Sequence, residues 1–352
     1  MNLREWREKI DKIDNKILEL INSRVKFALE IGKIKSKEAK AYLVPDRERE
    51  ILERLESQNK GPIPSKSIRA IYKEVMSACI ALQHPMRIAY LGPEATFTHL
   101  AALKRFGASV DYLPGKSIAD VFMEVEKGRA EYGVVPIENS MEGVITHTLD
   151  MFIDSELKIW AEVSLPINHN LLSNTSLDKV KVVYSHPQAF AQCRLWIESN
   201  LSAVALKEVS STAEAARLAG SKKNSAAIAS DVASQLYSLK IIAKDIEDSG
   251  PNLTRFLIIS KTSPERTGRD KTSIMFSIKD RVGALYDMLH PFKKYNINLT
   301  KIESRPSRRK VWDYFFFVDM EGHQGDASVA DAIKELEKEC VYLKILGSYP
   351  VA

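Results

Sequence analysis

Cysteine is scarce and scattered in this chain. Cys79, Cys193 and Cys340 are the only three in 352 residues, with no Cys-x-x-Cys pair and no histidine grouped with them at metal spacing. That argues against a disulfide framework and a structural zinc site, and a reducing compartment, the cytoplasm, is expected. Long apolar runs are also missing: no stretch approaches the roughly 18 residues of a membrane span. The N-terminal Met-Asn-Leu-Arg-Glu-Trp-Arg has no apolar signal core. Charge of one sign is in excess only at the start. Residues 1–85 hold 18 Lys/Arg against 13 Asp/Glu and so carry the whole net charge of +5. The basic residues there interleave with acids and do not form a phosphate track, so no nucleic-acid partner is expected. A site for a small dianion accounts for the local excess. No metal and no cofactor are expected.

What is present is an ordinary globular composition, 45% hydrophobic and 28% charged. The chain is too long for one core, and its patterns divide it into residues 1–85, 87–262 and 271–352. In the first segment, apolar residues recur at Leu3, Trp6, Ile10, Ile13, Ile17 and Leu20, then at Phe27, Ile31 and Ile34. The steps of three and four predict one helix over 3–37, roughly 50 Å long at 1.5 Å per residue. Such a seam outruns what a three-helix unit can cover, so an intertwined homodimer is expected, with a tetramer as the larger alternative. Arg24 fills the interrupted slot of the seam, where a cation calls for an anion. Lys35 shares its face, whereas Arg7 is roughly 100° away around the helix. A second helix follows Pro45, with Glu48, Leu52 and Leu55 on one face and Arg47 beside them. A third runs from about Ser67 to Gln83.

The middle segment alternates strand and helix patterns and predicts a doubly wound α/β domain of two lobes. Ligands in such folds meet strand ends and helix starts, and three stretches lie at such ends. Glu138-Asn-Ser140 follows the apolar run Val134–Ile137. Ser185-His-Pro-Gln188 follows Val182–Tyr184, with Gln192 one turn along. Thr254-Arg255-Phe256 opens the last strand. A hydroxyl next to a fixed cation suits chemistry on a small carboxylated substrate. The last segment reads as strand 272–279, helix 283–294, strands 297–304 and 311–319, helix 326–338 and strand 340–347. That βαββαβ order is the ferredoxin-like split unit. Gly283 opens its first helix, a setting that favours an amino-acid carboxylate.

Taken together, these residues resemble the bifunctional chorismate mutase–prephenate dehydratase family with its C-terminal ACT domain. Trp6 to Gln83, with inward Arg24, Lys35, Glu48 and Gln83, resembles the all-helical chorismate mutases. Tyr90-Leu-Gly-Pro93, Pro136-Ile-Glu-Asn-Ser140, His169-Asn-Leu-Leu172, Ser185-His-Pro-Gln188 and Asn252-Leu-Thr-Arg-Phe256 resemble the dehydratase. Gly283-Ala-Leu285, Glu303-Ser-Arg-Pro306 and Leu346-Gly-Ser-Tyr-Pro350 resemble an ACT domain.

The resemblance implies roles residue by residue. Arg24 and the partner's Arg7 hold the carboxylates of chorismate, and Lys35 and Gln83 donate to its ether oxygen. Glu48 accepts from the ring hydroxyl, and Arg47 lies in the same pocket. Thr254 assists departure of the prephenate hydroxyl and Arg255 binds a carboxylate. Asn139, Ser185 and Gln192 line the cleft, and Glu138 supports Asn139. Gly283, Ala284, Leu285, Glu303, Ser304, Arg305 and Pro306 enclose the inhibitor L-phenylalanine between two subunits. The family often has a polar residue where Val44 stands, a Ser near Cys79, and Val where Tyr286 follows Leu285. The rival readings are an arogenate dehydratase and a non-catalytic ligand sensor.

Overall fold

The first helix begins with a reciprocal cap. In the computed structural model, which describes residues 2–38, 41–248, 250, 252–279, 281–306 and 314–351, the Asn2 side chain accepts the Glu5 N–H. The Glu5 carboxylate accepts the Asn2 N–H in return. Helix α1 (Leu3–Lys37) then runs unbroken, followed by α2 (Pro45–Gln58) and α3 (Ser65–Gln83). Its buried positions are Ala28 and Gly32. A Cβ on Gly32 would sit 2.8 Å from Cγ of Gln83, so α1 and α3 approach this closely only because a glycine stands there. The apolar seam faces away from this contact. Trp6, Ile10, Ile13 and Ile17 are each 48–56% exposed and Phe27 is 72% exposed. Contacts divide the chain into two compact units: the residues up to 87 together with 106–111, and 88–105 together with 112–352.

The second unit contains two mixed sheets in its α/β part. The chain passes through β1 (Arg87–Leu91), α4 (Phe97–Phe106), β2 (Asp111–Gly115), α5 (Ile118–Glu126), β3 (Tyr132–Asn139), β4 (Gly143–Val144), α6 (Thr146–Asp154) and β5 (Lys158–Pro166). It then builds a second lobe from β6 (Asn170–Ser173), β7 (Val182–Ser185), α7 (Pro187–Gln192), α8 (Arg194–Asn200), β8 (Ala205–Glu208), α9 (Thr212–Ser221), β9 (Ser225–Ala229), α10 (Asp231–Leu236) and β10 (Lys240–Ala243). Finally β11 (Leu253–Ser260) returns to the first sheet. The strand orders are β2-β1-β3-β11-β5, with β4 paired to β3, and β10-β6-β9-β7-β8. The expected doubly wound pattern needs correction here. β11 lies antiparallel to both β3 and β5, and β6 antiparallel to β9 and β10, because these strands enter their sheets from the opposite lobe or end.

The remaining elements are β12 (Asp270–Ile278), α11 (Ala284–Lys294), β13 (Leu299–Pro306), β14 (Tyr314–Glu321), α12 (Ala327–Glu339) and β15 (Cys340–Pro350), in a sheet ordered β13-β14-β12-β15. The first residues of the strand expected over 311–319 lie outside the described residues. No polar gap separates this sheet from the α/β part. Met275, Phe315, Phe317, Leu346 and Tyr349 share one buried cluster with Phe122, Phe152, Ile159 and Leu257. Lys344 reaches back to cap α6, donating to the Ser155 carbonyl at 2.5 Å. Gly347 sits so close to β5 that a Cβ there would fall 2.3 Å from the Ile159 carbonyl oxygen.

Candidate active sites

A cleft of about 920 Å³ opens between the two lobes of the α/β part. Strand alternation decides what reaches it. Thr254 and Phe256 of β11, and Asn252 just before it, line the cleft, whereas Leu257 belongs to the buried core on the other side. On the neighbouring strand the alternation is broken. Thr254 pairs with Asn139 and Arg255 with Glu138, but Phe256 pairs with Pro136, so Ile137 is an extra residue. This bulge re-aims the end of β3 and brings Asn139 to the cleft face opposite Thr254.

The polar groups there form a chain of hydrogen bonds with a fixed direction. The Asn139 Oδ1 accepts the backbone N–H groups of Met141 at 2.9 Å and Glu142 at 3.1 Å. Its Nδ2 must therefore face the other way, and it donates to Thr254 Oγ1 at 2.8 Å and to Asn252 Oδ1 at 2.6 Å. Asn252 Nδ2 donates to Gln192 Oε1 at 3.0 Å, and Gln192 Nε2 donates to the Glu142 carboxylate at 2.9 Å. Since Gln192 presents its oxygen, His169 Nε2, 2.7 Å away, carries the ring proton. His169 Nδ1 is then a bare acceptor, buried without a hydrogen-bond partner. Burial holds the His169 pKa below the ordinary histidine value, against the opposing pull of the Gln192 bond, and the ring is neutral near pH 7. With Asn139 donating to its oxygen, Thr254 keeps its own proton free for a ligand.

Several expected residues lie elsewhere. Arg255 is on the opposite face of β11 from Thr254. Its guanidinium is only 12% exposed and meets Glu138 at 2.6 Å, Glu162 at 3.0 Å and Asp319 at 2.7 Å. Burial works against its charge, but Asp319, Tyr349, Glu138 and Glu162 together raise its pKa above the ordinary arginine value. It is thus an internal ion-pair residue, not a cleft cation. Glu138 pairs with Arg255 and Lys301 rather than supporting Asn139 directly. Ser185 is fully buried and donates to the Ile228 carbonyl at 2.9 Å, outside the cleft lining. Asn139 and Gln192 are in the cleft. His169, Asn252, Glu142 and Lys116 line it as well and had no role assigned from sequence. Asn252 was readable by alternation, being two residues before Thr254. His169 was not, because only the tertiary fold brings it to Gln192.

In the helical unit, Arg24 Nη1 lies 2.8 Å from Cys79 Sγ of α3, and Lys35 Nζ donates to the Tyr42 carbonyl at 2.9 Å. Gln83 packs over Gly32 and lines a groove of about 570 Å³. Arg7 lies 17 residues before Arg24 on the same helix, roughly 25 Å along its axis, so the two cannot share a pocket within one chain. Arg47 is 64% exposed and paired with Glu50 at 2.9 Å, on the surface rather than in a pocket, and Glu48 is half-buried.

At the C-terminal sheet, Gly283 has φ +80°, a left-handed conformation suited to glycine, and precedes α11. Ala284 is buried, Leu285 is 45% exposed and Tyr286 points outward at 73%. Along β13, Glu303 and Arg305 are half-buried while Ser304 and Pro306 are exposed. Arg305 is paired with Asp150 of α6 at 3.2 Å.

Comparison with known proteins gives a consistent order of parts. The profile of Chorismate mutase type II matches residues 6–84, Prephenate dehydratase residues 88–264, and the ACT domain residues 272–338. The chain is 52% identical, over 99% of its own length and 98% of the relative's, to the bifunctional chorismate mutase/prephenate dehydratase of Aquifex aeolicus (strain VF5). A prephenate dehydratase from Arthrobacter aurescens in complex with L-Phe superposes with a TM-score of 0.70. It is 35% identical and covers 76% of this chain and 90% of its own. A protein described as a quorum-quenching acylase, GqqA, superposes with a TM-score of 0.68 at 29% identity, covering 76% of this chain and 98% of its own. Among the described residues, no helix is long and apolar enough to cross a membrane.

Proposed function

This chain belongs to the family of bifunctional chorismate mutase/prephenate dehydratases and carries both activities, and from that premise we propose how its residues divide the work. The helical unit, residues 1–85, rearranges chorismate to prephenate. The α/β part, residues 87–262, converts prephenate to phenylpyruvate. The C-terminal part, residues 271–352, a ferredoxin-like ACT domain, binds L-phenylalanine and inhibits.

The mutase step is pericyclic and needs no nucleophile. It needs the substrate held compact and its ether oxygen stabilised as the carbon–oxygen bond breaks. Lys35 and Gln83 make that stabilisation, Glu48 holds the ring hydroxyl, and Arg24 holds a carboxylate. The second carboxylate meets the partner's Arg7. What supports a dimer is the seam on α1: burying each exposed Ile, Leu or Trp side chain contributes about 1.5–3 kcal/mol, and a second copy of the helix is the complementary surface.

In the dehydratase step, the carbon–carboxylate bond breaks, its electron pair completes the aromatic ring, and hydroxide leaves from the far carbon. Aromatisation drives the reaction, so the protein's part is to hold the ring and assist the hydroxide. The observation that carries this reading is the directed chain ending at Thr254, whose free proton can hydrogen-bond the departing oxygen. Phe97, Pro136 and Phe256 offer apolar surface for the ring, and Asn139 and Gln192 orient it. Lys116 is the one lysine or arginine among the described lining residues, and it takes the carboxylate role that Arg255 cannot. A fold shared with an acylase does not decide chemistry, and what favours the dehydratase reading is this arrangement of side chains in the cleft. L-phenylalanine binds between two copies at Gly283–Leu285 and Glu303–Pro306.

The test supplies purified protein with chorismate alone and follows both products, with and without L-phenylalanine. Phenylpyruvate should appear after a prephenate lag, and L-phenylalanine should lengthen the lag. Prephenate that accumulates unconsumed would overturn the second assignment.

A further inference from the structure

Six charged side chains fill the boundary between the α/β part and the C-terminal sheet, three from each. Glu138, Glu162 and Arg255 come from the first, and Lys271, Lys301 and Asp319 from the second. Arg255 touches all three acids, Lys271 meets Glu162 at 2.9 Å, and Lys301 meets Glu138 at 2.6 Å. The set is neutral, and five of its six side chains are no more than 12% exposed. Ser273 adds a hydrogen bond to Asp319 at 2.5 Å and another links it to the buried Tyr349 hydroxyl at 2.7 Å.

The position of this cluster in the chain matters more than its existence. Arg255 is the residue after Thr254 and Glu138 the residue before Asn139, and the two pairs stand opposite each other across β11 and β3. Each strand therefore puts one residue into the cleft and its neighbour into the cluster. A peptide unit cannot turn one of these side chains without turning the other, and the bulge at Ile137 interrupts the ladder between β3 and β11 just before Glu138. Backbone pairing to β4 and β5 fixes the strands themselves, and the side chains that meet Arg255 and Glu138 on this back face are Glu162 of β5 together with Asp319 and Lys301 of the C-terminal sheet.

We infer that Asp319 and Lys301 are positioning residues of the dehydratase cleft: through Arg255 and Glu138 they hold Thr254 and Asn139 at hydrogen-bonding distance on its wall. The inference rests on the reading of Thr254 given above. It makes the C-terminal sheet a working part of the cleft even with no amino acid bound. Lys301 acts on Asn139, and Asp319 acts on Thr254.

The experiment compares Asp319→Asn, Lys301→Gln, Thr254→Ala and the two corresponding doubles in the full-length chain. It measures dehydratase kcat and KM on prephenate, mutase rate and melting temperature. Asp319→Asn should lower dehydratase kcat about tenfold, as misplacement of a reacting group does, with KM within about twofold and the mutase rate unchanged. In the Thr254→Ala background the same change should cost nothing further, because the group it positions is gone. If Asp319→Asn fails to fold, Lys301→Gln must give the same split between kcat and KM. A folded Asp319→Asn or Lys301→Gln with unchanged kcat, or with KM alone raised, overturns the inference while leaving Thr254 in place. So does a loss that adds in full to that of Thr254→Ala, which is the mark of a general loss of stability. A fully active Thr254→Ala sinks the inference and the reading beneath it together.

Discussion

Helix α1 and strand β15 both present apolar side chains along one face, and the chain treats them oppositely. Trp6, Ile10, Ile13 and Ile17 of α1 remain open to solvent, whereas Leu346 and Tyr349 of β15 are sealed against Ile159 and Phe152. The difference lies in reach. A 35-residue helix runs past everything its own short unit can pack on it, while β15 is matched along its length by β12 and backed by the α/β core. One region is covered within the chain, and the other is left open to solvent. An exposed stripe of this size marks an interaction site, and it supports the proposal of a mutase pocket drawn from two chains. In the dehydratase cleft, every member of the hydrogen-bond chain comes from residues 139–254 of one chain.

The sharpest way to break this contrast is to disable each site alone. Thr254→Ala should lower dehydratase turnover by about 10²–10⁴-fold, the range for loss of a proton-handling group, and leave mutase intact. Arg24→Ala should do the reverse. Paired assays on chorismate and prephenate check both, and either variant losing both activities while folded would end the two-site account. Next in size is the seam. Ile13→Glu with Ile17→Glu removes four apolar side chains from a dimer, about 6–12 kcal/mol at 1.5–3 kcal/mol each. Sedimentation should then find a smaller assembly, and mutase should drop while the prephenate reaction continues. An unchanged mass would mean that α1 is not the interface.

A smaller effect is expected at the closed boundary. Gly347→Ala forces a methyl group against the Ile159 carbonyl and should cost about 1–3 kcal/mol, as overpacking does. Thermal unfolding would register it as a lower melting temperature of the dehydratase, with mutase little changed. The smallest effect is on pH. Burial lowers the pKa of His169 from 6.5, and that of His99 likewise. The folded protein then binds these protons less readily than the unfolded chain, so stability is full above about pH 6.5 and declines as pH falls toward the depressed values. Melting curves between pH 7.5 and 5 should show that decline, and His169→Gln should flatten part of it. A variant curve parallel to the original would remove His169 from the account.

Much of this was legible in the sequence, and the failures are instructive. The length of α1, the strand ends that carry Asn139 and Thr254, and the βαββαβ order all follow from periodicity and turn residues. The role given to Arg255 ignored the same rule. In a strand, adjacent residues face opposite sides, so Thr254 and Arg255 could not both enter the cleft, and alternation alone was enough to say so. Glu138 is a different kind of miss. Plain alternation from Pro136 would send Glu138 into the cleft and Asn139 away, and only the bulge reverses this. Nor could the sequence pair Arg255 with Asp319, 64 residues away, or Gln192 with His169 across a lobe. Such contacts depend on where whole elements dock.

The extra residue in β3 also bears on how this stretch can change over generations. In most surface loops, losing or gaining one codon shifts nothing of consequence. Inside a strand the same loss usually turns every following side chain to the other face, but at Ile137 it would not. Deleting that one residue leaves Pro136, Glu138 and Asn139 opposite Phe256, Arg255 and Thr254, the partners they already have, with plain alternation in place of the bulge. The loss would be one buried side chain, since Ile137 is 2% exposed within the core. What this position has to keep is an apolar side chain rather than the length of the strand.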